Sequence, residues 1–147
     1  MPTCSAVVIP ATAGDTTHPM ASIYATTAVR PVLREVWVTN TAAATSVQVG
    51  LCRLTTTGTV GAAATEVNET DTSHTILATV AGTHTSTAPT AGAFFRGVQL
   101  GAAAGSGSTF IFGGLGLIIP NTASDGVGVM AMAGTSQICI CTFVWDE

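Results

Sequence analysis

Apolar and polar residues alternate along much of this chain with the two-residue period of half-buried strands. Across 46–54, Val47, Val49, Leu51 and Arg53 share one face, opposite Ser46, Gln48, Gly50 and Cys52. Pro31 opens a second run, 32–39, with Leu33, Glu35 and Trp37 on one side and Val32, Arg34, Val36 and Val38 on the other. Further strands are predicted at 6–9, 22–27, 74–80, 93–100, 109–112, 115–119, 127–132 and 137–145. The last of these is apolar on both faces, Ile138, Ile140, Thr142 and Val144 against Cys139, Cys141, Phe143 and Trp145. Such a strand is central in a sandwich or held between subunits.

Turn signals separate these runs. They include the small-residue stretch 40–45, Thr55-Thr56-Thr57-Gly58-Thr59, and the run from Pro120 through Asn121 and Asp125 to Gly126. Residues 62–73 read as an exposed polar loop carrying Glu66, Glu69 and Asp71, 81–92 as a long surface loop, and 101–107 as a flexible linker. Residues 1–20 read as an N-terminal arm with at most one strand, and 21–147 as a single domain. Thr occurs 26 times and Ala 23 times, helix formers are scarce, and no useful 3.6-residue period is present. The expectation is an all-β chain, a jelly-roll β-sandwich of about eight or nine antiparallel strands. No fixed-period repeat points to a propeller or solenoid.

Composition sharpens this picture. The chain has 147 residues, 47% hydrophobic but only 8% charged, with four arginines, no lysine, eight acidic residues and a formal net charge of −4. A globular domain usually carries roughly 25% charged residues. The surface must then be built from Thr, Ser, Ala and Gly, or be covered by subunit contacts. With no basic cluster to neutralise phosphates, nucleic acid is not an expected partner. No segment reaches the about 18–20 apolar residues of a membrane helix, and the best, 110–119, contains three glycines. The N-terminus lacks the basic and apolar regions of a secretory signal, so synthesis in a cytoplasm is expected.

Reactive constellations are sparse. Cys4, Cys52, Cys139 and Cys141 match neither a paired-CxxC zinc motif nor a thioredoxin motif, and are read as small apolar core residues in a reducing compartment. Zinc ligation with His18, His74 or His84 has no support in the spacing. A catalytic base would have to be one of those histidines. His18 and His84 lie in segments read as solvated, His74 begins a predicted strand, and there is no G-x-S-x-G elbow. No H-x-H pair suggests a cupin metal centre. Glu66, Glu69 and Asp71 lack both the aromatic cleft of a glycosidase and the EF-hand spacing. Gly113, Gly114 and Gly116 precede no helix, so they read as strand kinks rather than a phosphate cradle. The chain is thus read as a non-enzyme without cofactor or metal. Arg34, Arg53 and Arg96 are expected to pair with an acid, a carbonyl or a neighbouring subunit, with Glu35, Asp146 and Glu147 as candidate acids. The plainer reading is a snorkelling surface arginine.

Several of these segments carry a resemblance. They are Val32-Leu33-Arg34-Glu35-Val36-Trp37-Val38-Thr39-Asn40-Thr41, then 46–53, Thr55-Thr56-Thr57-Gly58-Thr59, Gly116-Leu117-Ile118-Ile119-Pro120 and Phe143-Val144-Trp145-Asp146-Glu147. Together they resemble the capsid decoration (minor head) proteins of tailed bacteriophages, over most of residues 30–147. The resemblance implies a jelly-roll homotrimer on three-fold and quasi-three-fold positions of the outer capsid surface. Its partners would be itself and the major capsid protein, with no membrane and no enzymatic activity. Trp37, Arg53, Arg96, Phe143 and Trp145 are the candidate subunit-interface or core residues. The alternative is a carbohydrate-binding jelly-roll module of a fibre or lectin-like protein. It would need aromatics exposed for sugar stacking, and most aromatics here lie in predicted strands.

Overall fold

The computed structural model describes residues 1–42, 45–133 and 137–147. Positions 43 and 44 of the expected turn at 40–45 lie outside the described residues. Eleven strands are present among the described residues: β1 (Thr3–Val8), β2 (Ala21–Tyr24), β3 (Val32–Asn40), β4 (Val47–Leu54), β5 (Glu66–Asn68), β6 (Thr79–Ala81), β7 (Ala91–Leu100), β8 (Gly107–Ile111), β9 (Leu117–Ile118), β10 (Gly126–Ala131) and β11 (Cys139–Asp146). No helix occurs among the described residues. The strands form two antiparallel sheets packed as a β-sandwich. The first has the order β5-β1-β11-β3-β8, with β9 also on β3, and the second the order β6-β2-β10-β4-β7. Setting aside β5, β6 and β9, each only two or three residues long, eight strands remain, within the expected eight or nine.

The core lies between the sheets. Cys4, Ala6, Val8, Leu33, Val36, Val38, Phe110, Cys139, Cys141, Phe143 and Trp145 enter it from the first sheet. Ala21, Ile23, Val47, Val49, Leu51, Val127 and Val129 enter from the second. Strand β11 is central, between β1 and β3, with its odd-numbered residues buried and Ile140, Thr142 and Val144 half-buried on the other face. A strand apolar on both sides is therefore central in its sheet. A second, smaller cluster of Tyr24, Cys52, Leu54 and Met130 forms apart from this core. Facing strands come close there, and a Cβ on Gly126 would lie 2.5 Å from the Tyr24 ring.

Four expectations change. The first twenty residues are not a free arm: β1 is hydrogen-bonded between β5 and β11. Residues 9–20 are also tied down, with Thr83 Oγ1 donating to the Thr12 carbonyl at 2.6 Å and the Met20 N–H to the Val129 carbonyl at 2.8 Å. The polar loop at 62–73 contains β5, whose Glu66 carboxylate accepts the Val80 N–H at 3.1 Å. The strand expected at 74–80 shrinks to Thr79–Ala81, so His74 lies in a turn. The loop at 81–92 is not all surface, because His84 is only 2% exposed.

The faces of β3 also differ from simple alternation. Val144 pairs with Glu35, but Trp145 pairs with Leu33, so Arg34 is an extra residue on β3. This bulge turns Leu33 inward beside Val36 and Val38, and leaves Arg34 half-buried.

Candidate functional site

The outer face of the first sheet is the most unusual surface. Cross-strand register aligns Val67, Ser5, Val144, Glu35 and Ile111 in one row. Val7, Thr142, Trp37 and Thr109 form the next. Val7, Val67 and Ile111 are exposed, and half of Trp37 is. Glu35 is the one charge in these two rows, and its Oε2 accepts the Trp37 indole N–H at 2.6 Å. That bond holds the ring against its own strand. Five of the nine residues in these rows are apolar and three carry hydroxyls, so the rows expose apolar surface with a single charge. Leu115 and Ile118 add exposed apolar area toward the β9 side.

Arg53 and Arg96 lie toward the side of the sandwich where the edge strands β7 and β8 run. Arg53 lies 5.9 Å from the Phe95 ring centroid, Phe95 lies 6.4 Å from Phe112, and Arg96 lies 6.0 Å from Phe112. A ring pair flanked by a cation at each end thus forms a ladder that links β4 and β7 to the segment after β8, each cation facing a π-system. Arg53 also donates to the Ile118 carbonyl at 2.8 Å. Among the candidate residues, Phe143 and Trp145 are core, Trp37 lies on the open face, and Arg53 and Arg96 are ladder members.

A polar cluster that the sequence does not reveal forms where β1 and β11 meet the turn at 74. The Glu147 side chain is fully buried. Its Oε1 accepts the Leu77 N–H at 2.6 Å and lies 3.2 Å from His74 Nε2. Its Oε2 accepts the Ala78 N–H at 3.0 Å and the Trp145 indole N–H at 3.2 Å. Cys4 Sγ is within 4.8 Å of the His74 and Glu147 donor atoms, and 3.3 Å from Asn68 Oδ1. Burial first, then the charges of Glu147, Asp146 and Glu69, push the Cys4 thiol up to about 11. A cysteine–histidine–acid arrangement is therefore present, but the thiol is held protonated, the opposite of what a nucleophile needs. Positions 4, 74 and 147 are too far apart in sequence for any spacing rule to join them.

Other polar groups serve local structure. All four cysteines are free and buried, as expected of core residues. Ser22 Oγ and His84 Nε2 are 2.9 Å apart, but both residues are buried and Tyr24 packs on the imidazole at 6.1 Å, so no substrate reaches this pair. Contrary to the expectation of a solvated loop, His84 is buried, which lowers it to about 4. Asp71 accepts the Ser73 N–H and hydroxyl within its own turn, at 2.9 and 2.6 Å. Asp15 does the same for Thr17 and His18, whose N–H groups approach to 2.6 and 2.7 Å. A groove of about 420 Å³ runs between residues 7–12, 61–65 and the turn holding Gly82, Thr83 and Thr85. Its walls carry no charged side chain.

No protein-family model matches the chain, and no curated protein or solved structure matches it at a significant level.

Proposed function

We propose that this protein is a structural virion component, a capsid decoration protein that binds the outer surface of a phage head and stabilises the shell. The observation that carries this reading is the exposed, nearly uncharged face around Val7, Trp37, Val67 and Ile111. Covering such a face removes apolar surface from water, worth about 25 cal/mol per Å² before association costs.

The connectivity supports a jelly roll. Leaving aside β5, β6 and β9, the sheets reduce to β1-β11-β3-β8 and β2-β10-β4-β7. Steps from β1 to β2, β3 to β4, β7 to β8 and β10 to β11 each cross from one sheet to the other. Two four-stranded sheets with such crossings are what the jelly-roll reading calls for, a fold that recurs in viral capsid and lectin domains. In this reading the subunit is a homotrimer on three-fold and quasi-three-fold positions, and its partner is the major capsid protein.

Light scattering coupled to size exclusion, followed by addition to undecorated shells, tests the proposal. A mass three times the 14.7 kDa chain and saturable binding to shells are expected. A chain that neither trimerises nor binds the shell overturns it.

A second reading rests on Trp37 itself. A half-exposed indole fixed by a carboxylate 2.6 Å away offers a stacking platform for a sugar ring. A carbohydrate-binding module would give specific signals on a glycan array, lost in Trp37→Ala.

A further inference from the structure

We propose that Cys4, His74 and Glu147 form a zinc-binding site that ties β1, the turn at 74 and the end of β11 together. The Cys4 Sγ, a His74 ring nitrogen and a Glu147 carboxylate oxygen all lie within 4.8 Å of one another. The 3.2 Å between His74 Nε2 and Glu147 Oε1 fits one edge of a tetrahedron with metal–ligand bonds of about 2.0 Å. Asn68 Oδ1, 3.3 Å from Cys4 Sγ, stands near enough to supply the fourth ligand, with water as the alternative.

The surroundings suit a cation. The Ala78 amide and the Trp145 indole fix Oε2, and the Leu77 amide takes one lone pair of Oε1, so the carboxylate is already oriented. Outer contacts of this kind orient ligands in metal sites generally. A thiolate and a carboxylate balance a divalent charge, and Asp146 and Glu69 add negative charge near Cys4. Binding forms the S–Zn, N–Zn and O–Zn bonds and releases the thiol proton to solvent, the imidazole ligating as the neutral ring. One thiolate, one imidazole and one carboxylate suit zinc, whereas calcium and magnesium call for oxygen donors.

The test uses the full chain, stripped with a chelator and titrated with zinc in competition with a chromophoric chelator. Cobalt(II) serves as the optical probe. About one zinc per chain is expected, with a thiolate-to-cobalt charge-transfer band and a higher unfolding temperature in the loaded form. Cys4→Ser should abolish the band. His74→Gln, at a partly exposed position that tolerates substitution, should weaken zinc binding by about tenfold or more. Cys52→Ser, in the separate cluster with Met130, should change neither. Failure of the folded wild-type chain to bind zinc stoichiometrically overturns the proposal. So does binding that His74→Gln leaves intact, whether or not Cys4→Ser folds.

Discussion

Arg34 grips Asp146 across the bulge in β3, with Nε and Nη2 at 2.7 and 2.6 Å from the same carboxylate oxygen. The other oxygen accepts the Thr3 hydroxyl at 2.8 Å, so one acid joins β1, β11 and β3. Arg34 also donates to the Gly114 carbonyl at 2.9 Å. The side chains of the pair are only 32% and 13% exposed, which places it between a surface pair and a buried one. Exposed pairs contribute under about 1 kcal/mol, and breaking a buried pair costs about 3–5 kcal/mol. Asp146→Asn and Arg34→Met should each lose about 1–2 kcal/mol, the range between those limits. Urea unfolding of both single variants and the double variant measures the coupling directly. Strictly additive losses would show that the two side chains do not depend on each other.

This bulge also marks how far the sequence could be read. Alternation found nearly every long strand, because in most of them core-facing residues recur at every second position, although β10 is buried throughout. It assigned Leu33 to the Trp37 face, and the extra residue at Arg34 reverses that. A bulge depends on pairing with a strand more than a hundred positions away, which local alternation does not register. The same limit hides β5, three residues inside a polar stretch, and the convergence of Cys4, His74 and Glu147. The doubly apolar β11 was legible because burial on both sides writes itself into consecutive residues. His84 was not, since a histidine among threonines reads as solvated until Ser22 and Tyr24 are found against it.

The two tryptophans should separate stability from association. Trp145 is fully buried, so Trp145→Ala should cost about 3–5 kcal/mol in chemical denaturation. Trp37 sits half-exposed on the open face, and Trp37→Ala should shift folding by no more than about 0.5 kcal/mol. The same Trp37 variant should bind shells much more weakly in co-sedimentation. Full shell binding by Trp37→Ala would remove this face from the proposed contact.

Glu147 works as a clasp on the turn before β6 whether or not metal is bound. Its carboxylate takes the Leu77 and Ala78 amides and the Trp145 indole, all within 3.2 Å. Glu147→Ala leaves those donors without an acceptor, and each buried orphan costs about 1–3 kcal/mol. A total loss of at least about 2 kcal/mol is expected, since the orphaned donors add. Hydrogen exchange should accelerate first at Leu77 and Ala78, ahead of the central strands. Unchanged exchange at those two amides would mean that the clasp does not hold the turn.

His84 should make the protein acid-sensitive from about pH 6.5 downward, before the carboxylates begin to titrate. Burial is the largest cause of its lowered value, about 4 against an ordinary 6.5. The charge of His18 lowers it further, and the Thr57 backbone, as a hydrogen-bond acceptor toward the ring, works the other way. Above pH 6.5 the ring is neutral in both folded and unfolded chains, so the stability is fully present. Between 6.5 and about 4 the unfolded chain binds a proton that the folded chain refuses, so stability falls as pH falls. Below about 4 both forms are protonated at this site and its contribution levels off. At about 1.4 kcal/mol per pH unit, the loss across the window is roughly 3 kcal/mol. Asp15, held low by hydrogen bonds from Thr17 and His18, acts only below the ordinary carboxylate range, so the windows do not overlap. Unfolding free energies measured from pH 7.5 to 4 in wild type and His84→Gln isolate the effect, because glutamine keeps a hydrogen-bonding side chain opposite Ser22 without titrating. The difference between the two curves should change by about one proton's slope over this window. Parallel curves would assign the acid sensitivity to another group.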